Sequence, residues 1–173
     1  MIRALILALL MLVSAPAAAD VSAGRLVDLG VLHSKYADPR RVQVWLPSGY
    51  SEDGRKYAVL YMHDGQNLFD KKSAGYGMEW EIDEHLDALI RANKVRPTIV
   101  VGIWNTPKRL QEYVPTKAFD GLPAEYRDKV RALYGGDPLS DGYLKVIVRE
   151  LRPLIAKRFN VKTDRAKTVI MGT

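Results

Sequence analysis

The chain is 173 residues long, with 26 lysines and arginines against 20 aspartates and glutamates and no cysteine, for a formal charge of +6. The absence of thiols excludes disulfides, zinc–thiolate centres and a cysteine nucleophile. Basic and acidic residues interleave along the whole chain without a basic block, which argues against a nucleic-acid partner and for a solvated surface of mixed charge.

Residues 1–19 have the three parts of a secretory signal: Arg3 for positive charge, an apolar run over residues 4–13, and the small residues Ala17, Ala18 and Ala19 before Asp20. The run is too short to span a bilayer. Cleavage would leave residues 20–173 as the mature chain, with a charge of +5 once Arg3 is gone, exported to the periplasm or the medium and without a stable membrane anchor. An uncleaved anchor is the alternative, but Ser14 and Pro16 interrupt the apolar run early enough to favour cleavage. The remainder is one domain's worth of chain.

Residues 25–33 and 41–46 alternate apolar with polar side chains about an Asp38-Pro39 turn, the pattern of an antiparallel hairpin. Residues 57–62 and 98–103 are nearly continuous apolar runs, which predict strands covered on both faces in a parallel sheet. Between them, residues 79–93 place Ile82, Leu86, Leu89 and Ile90 at helical spacing, with Glu79, Glu81, Asp83 and Glu84 near the N-terminus and Arg91 near the C-terminus. Periodicity lapses over residues 105–142, where repeated proline and glycine predict a long insertion with one short helix at 124–133. Residues 143–159 read as a helix that Pro153 should bend or divide, and residues 168–171 as a further buried strand. The order predicts an α/β sandwich with a mostly parallel sheet and an antiparallel N-terminal hairpin. Right-handed crossovers place the loops after Met62, Ile103 and Met171 on one rim, where ligands bind in such folds.

The first of these loops carries the chemistry. Gly65 in Asp64-Gly65-Gln66 allows close approach of the backbone, so that the N–H of Gln66 could face a developing oxyanion. The same spacing fits an ordinary turn in which Asp64 bonds its own backbone. His63 lacks a serine near it in sequence and reads as a structural histidine under the loop. His33 and His85 have no partner at metal-ligand spacing, a site drawn from His63, Asp64 and Asp70 is the one conceivable metal set, and no nucleotide or metalloprotease motif is present, so neither metal nor cofactor is expected. None of the serines of residues 20–173 sits in a strand-to-helix turn of the G-x-S-x-G kind.

The stretches Y-M-H-D-G-Q-N-L-F-D from Tyr61, Glu79-Trp80, I-V-V-G-I-W-N-T from Ile99, R-L-Q-E-Y-V-P from Arg109 and the segment from Tyr143 to the end together resemble the esterases of the α/β-hydrolase superfamily. That group includes enterochelin-esterase-like enzymes, feruloyl and acetyl-xylan esterases, esterase D and the mycolyltransferases. The resemblance implies a serine ester hydrolase working through an acyl-enzyme, with Gln66 supplying one oxyanion-hole N–H. It implies that the loop over residues 105–113 borders the substrate cleft, making Asp64, Gly65, Arg109, Glu112 and Tyr113 candidate binding or loop-ordering residues for a small ester such as an acyl sugar or a siderophore. A surface pair of Arg109 and Glu112 with Tyr113 packed beneath is the competing reading, and Trp80 reads as core rather than substrate platform. In the family the final strand continues into the serine turn, so nucleophile, acid and histidine are all expected beyond Thr173. The 173-residue chain is accordingly expected to be inactive by itself and poorly soluble, because the fold would end on an open strand edge. A non-catalytic binding module with this fold is the alternative.

Overall fold

The computed structural model describes residues 21–172; the signal-peptide reading of residues 1–19 lies outside them. Five strands form one sheet: β1 (Arg25–Leu32), β2 (Arg40–Leu46), β3 (Ala58–Met62), β4 (Thr98–Ile103) and β5 (Thr168–Met171), in the order β1-β2-β4-β3-β5. The hairpin pair and β2–β4 are antiparallel, while β3 runs parallel to both β4 and β5. The register sets Leu60 beside Val100 and Val169, so the tips of β3, β4 and β5 reach the same rim.

Alternation along the strands divides the core into two layers. One face carries Val44, Val59, Tyr61, Val101 and Ile103 against Tyr143, Ile147, Leu151 and Ile155. The other carries Trp45, Met62 and Val100 against Leu68, Phe69 and Ile90, with Leu86 at the margin. Helix α1 (Ile82–Arg91) covers the second face. It begins three residues later than the periodicity predicts, because Glu81 sits in the left-handed region at φ 52° and Trp80 donates its N–H to the carbonyl of Asn67, tying the approach to the rim loop.

The insertion differs from expectation. Instead of one short helix it contains α2 (Arg109–Tyr113), α3 (Thr116–Asp120) and α4 (Ala124–Tyr134). Pro115 and Pro123, which read as breaks, occupy the N-cap positions of α3 and α4, where a missing N–H costs nothing. The next helix starts at α5 (Ser140–Lys145), passes through a π-turn over Val146–Leu151 and continues as α6 (Arg152–Arg158). Pro153 divides it as expected in the sense that hydrogen-bond spacing changes just ahead of the ring, which falls in the first turn of α6.

β5 is an outer strand, and Val169, Ile170 and Met171 are about half exposed. Among the described residues no helix is long and apolar enough to cross a membrane.

Candidate functional site

β3 ends at Met62, and the chain turns at once. His63 closes the last rung of the sheet by donating its N–H to the carbonyl of Met171 at 3.0 Å. Asp64 then adopts a left-handed conformation at φ 53°, an arrangement that aspartate tolerates better than most residues but that still costs on the order of 1 kcal/mol. Gly65 follows against the backbone of β4, so close that a Cβ there would lie 2.6 Å from the carbonyl carbon of Gly102 and 2.7 Å from the nitrogen of Ile103. The turn closes when Asn67 donates its N–H to the carbonyl of Asp64 at 2.9 Å.

Gln66 is held at two points. Its carbonyl accepts from the hydroxyl of Ser73 at 2.8 Å, and its side-chain Oε1 accepts from the N–H of Asn105 at 3.2 Å. Among the described residues no group accepts the backbone N–H of Gln66.

What keeps the turn in place is the Asp64 carboxylate. Arg109 donates to it with both Nε, at 2.8 Å, and Nη2, at 2.7 Å, Asn105 Nδ2 donates at 2.6 Å, and the Tyr113 hydroxyl donates at 3.3 Å. Asp64 itself is 2% exposed. Burial opposes its ionisation, but the bonds from Arg109 and Asn105 and the guanidinium charge together outweigh it, so the carboxyl titrates below its ordinary range. A carboxyl depressed in the folded state contributes stability that is present above its unfolded value, near ~3.9, and is lost as pH falls through the folded value. The melting-temperature gap between the wild type and Asp64→Asn is therefore expected to narrow on acidification from pH ~6 to pH ~2, as followed by circular dichroism. A gap that stays constant over this range would contradict the linkage.

A second cluster stands behind the tip of β5. His63 Nδ1 lies 2.6 Å from the Tyr143 hydroxyl, and the ring sits 5.0 Å from that of Tyr113 and 5.4 Å from that of Tyr143, centroid to centroid. Burial lowers the His63 pKa; the charge of Arg109 adds to this and that of Asp64 opposes it. Arg40 stacks over Tyr143 at 4.7 Å and is held from below by Glu112, which accepts from Nη2 at 2.6 Å and from Nη1 at 3.1 Å. Thr106 adds a third bond to Glu112 at 3.0 Å, completing a fully buried ion pair.

The structure thus gathers Asp64, Gly65, Gln66, Arg109 and Tyr113 around one loop, while Glu112 turns away from Arg109 toward Arg40. Nor do His63, Asp64 and Asp70 converge as a metal set: the first bonds Tyr143, the second Arg109, and Asp70 accepts from the backbone N–H of Lys72 at 2.8 Å. Two cavities flank the loop. One, of about 640 Å³, is lined by Gln66, Tyr76, Met78, Trp80, Asn105 and Arg109; the other, of about 510 Å³, by His63, Tyr113, Tyr143, Leu144, Met171 and Gly172. Trp80 belongs to both readings made of it, packing against the core and lining the larger cavity.

Arg40, Tyr143, Tyr76 and Met78 were invisible to sequence reasoning. Arg40 lies 72 positions from Glu112 and Tyr143 lies 80 from His63, and no local pattern announces such pairs. Tyr76, fully exposed with φ 67°, and Met78, 71% exposed, sit in a segment without periodicity; two large apolar residues so close together in a polar stretch were the available signal.

Comparison with known proteins agrees with this fold. The enterobactin hydrolase IroE, determined in complex with DFP, superposes with a TM-score of 0.59 at 16% identity over 88% of this chain and 55% of that one. An IroE-like serine hydrolase from Shewanella oneidensis gives 0.53 at 24% identity, over 79% of this chain and 39% of its own. The uncharacterized protein YbbA of Bacillus subtilis (strain 168) is 27% identical over 143 residues, which are 83% of this chain and 50% of that protein. The chain therefore spans about half the length of this curated relative. Residues 34–173, four-fifths of the chain, match the family described as "Putative esterase", and the chain belongs to that esterase family, with the α/β-hydrolase fold.

Proposed function

We propose that this chain is the oxyanion-binding part of an exported serine esterase that hydrolyses a small ester through an acyl-enzyme. The observation that carries the proposal is the Gln66 amide, anchored through its carbonyl and side chain and without an acceptor among the described residues. A serine alkoxide attacking an ester carbonyl turns it into a tetrahedral oxyanion; an amide already fixed beside that oxygen stabilises it without reorganising. One such donor is worth about 100- to 1000-fold in rate, or about 3 kcal/mol. A second donor, the serine, the acid and the histidine are supplied by residues following β5, in the order that this fold uses.

The cavities beside the loop have the size of small-molecule sites, which supports an acyl sugar or a siderophore ester rather than a polymer as the bond-bearing group. The leader-like pattern of residues 1–19 supports export. Neither metal nor cofactor has a role in this reading.

The test is labelling with a fluorophosphonate probe together with hydrolysis of p-nitrophenyl acetate. The full-length gene product is expected to react at one serine and turn over the ester, and a chain ending at Thr173 to do neither. Labelling of a serine within residues 21–172 would overturn this division of the site.

A further inference from the structure

Beside the oxyanion loop, the structure assigns a positioning role to a residue that the esterase chemistry leaves unused: we infer that His63, held by Tyr143, sets the place of the turn that follows β5. The inference rests on the esterase reading and deepens it. Adjacent residues divide two tasks, Asp64 bracing the amide that receives the negative charge and His63 bracing the strand that leads to the nucleophile.

Three contacts carry it. The backbone of His63 bonds Met171, which fixes the last residue of β5 to the end of β3. The ring then lies against Gly172, so tightly that a Cβ on Gly172 would come within 2.4 Å of Cδ2 and 3.0 Å of Cβ and Cγ of the histidine. Finally the ring cannot turn aside, because its Nδ1 is 2.6 Å from the hydroxyl of Tyr143, a residue 2% exposed, stacked on Tyr113 and pinned by Arg40 over Glu112. Burial lowers the pKa of the imidazole and raises that of the phenol. Nδ1 and the phenol share this hydrogen bond, in which either group can be the donor according to the imidazole tautomer. A line of side chains from Glu112 through Arg40, Tyr143 and His63 ends on Gly172, the residue that follows β5.

Such bracing has a large kinetic lever, since a displacement of about 1 Å in a reacting group costs on the order of 100-fold in rate. The experiment uses the full-length protein, with active sites counted by fluorophosphonate labelling so that misfolded protein does not contribute. His63→Leu and Tyr143→Phe are each expected to lower kcat per labelled site by about 10- to 100-fold with KM within about twofold. His63→Asn, whose Oδ1 can occupy the place of Nδ1 and accept from Tyr143, should recover most of the loss. Adding Tyr143→Phe to His63→Leu should cost little more, because the bond is already gone. Failure of the wild type to label or turn over would overturn the esterase reading and this inference with it. An active wild type with His63→Leu at unchanged kcat, or with Asn no better than Leu, would overturn this inference alone.

Discussion

Gly65→Ala is expected to lower ester hydrolysis by the full-length enzyme by at least about 100-fold and to destabilise the fold by about 1–3 kcal/mol. The added methyl would lie 2.6 Å from the carbonyl carbon of Gly102, 2.7 Å from the nitrogen of Ile103 and 2.9 Å from its carbonyl carbon. All three are backbone atoms of a strand in the interior of the sheet, paired to β2 on one side and β3 on the other, so none can yield as a flexible side chain would. The loop must lift instead. Gln66 is the next residue, and its amide moves with the lift, removing the oxyanion donor from its place. Gly121→Ala is the matched control: its nearest neighbour would be the carbonyl oxygen of Ala118 at 3.5 Å, an ordinary contact, and activity should stay within about twofold. Steady-state kinetics and thermal melts of the two variants decide the matter. Gly65→Ala with wild-type kcat would show that the loop does not position the reaction.

Glu112→Ala should produce the largest loss of stability, about 3–5 kcal/mol, which for a domain of this size lowers the melting temperature by roughly 6–20 °C. The side chains of Glu112 and Arg40 are each 1% exposed, so truncating the acid leaves a guanidinium in the interior without its counter-charge. Arg40 already has one buried nitrogen, Nε, without a partner, and cannot absorb a further loss. Replacing both partners by apolar residues, as in Arg40→Met with Glu112→Leu, removes the stranded charge and should recover much of the difference. Calorimetry of the single and double variants would check this; a single variant within about 1 kcal/mol of wild type would contradict it. The expected recovery of stability does not extend to catalysis, because Tyr143 loses the cation that packs over it.

The fold was legible where burial writes a simple pattern. The apolar runs of β3 and β4 and the alternation of β1 and β2 gave the sheet, and parallel strands ending together gave the rim on which Asp64 and Asn105 meet. Gly65 does make a close backbone approach, to β4, and the positive φ of the loop falls instead on Asp64. Elsewhere the signal was too short or too distant. Helices α2 and α3 have five residues each, less than the two turns that a periodicity needs, and the prolines that cap α3 and α4 have the same composition as a loop. The partners of Asp64 lie 41 to 49 positions away and could be named only through the family resemblance, which supplied Arg109, Glu112 and Tyr113; Arg109 and Tyr113 bond Asp64, while Glu112 pairs with Arg40 at the lining of the smaller cavity. Arg40 and Tyr143 are set by tertiary packing alone.

The most direct measurement is the crystal structure of the full-length protein after reaction with a fluorophosphonate, whose tetrahedral adduct stands in for the oxyanion intermediate. The account predicts the phosphonyl oxygen about 3 Å from the backbone nitrogen of Gln66, with Asp64 still bound by Arg109 beneath the loop. An adduct whose oxygen is held by other donors, with the Gln66 N–H turned into the protein interior, would contradict it.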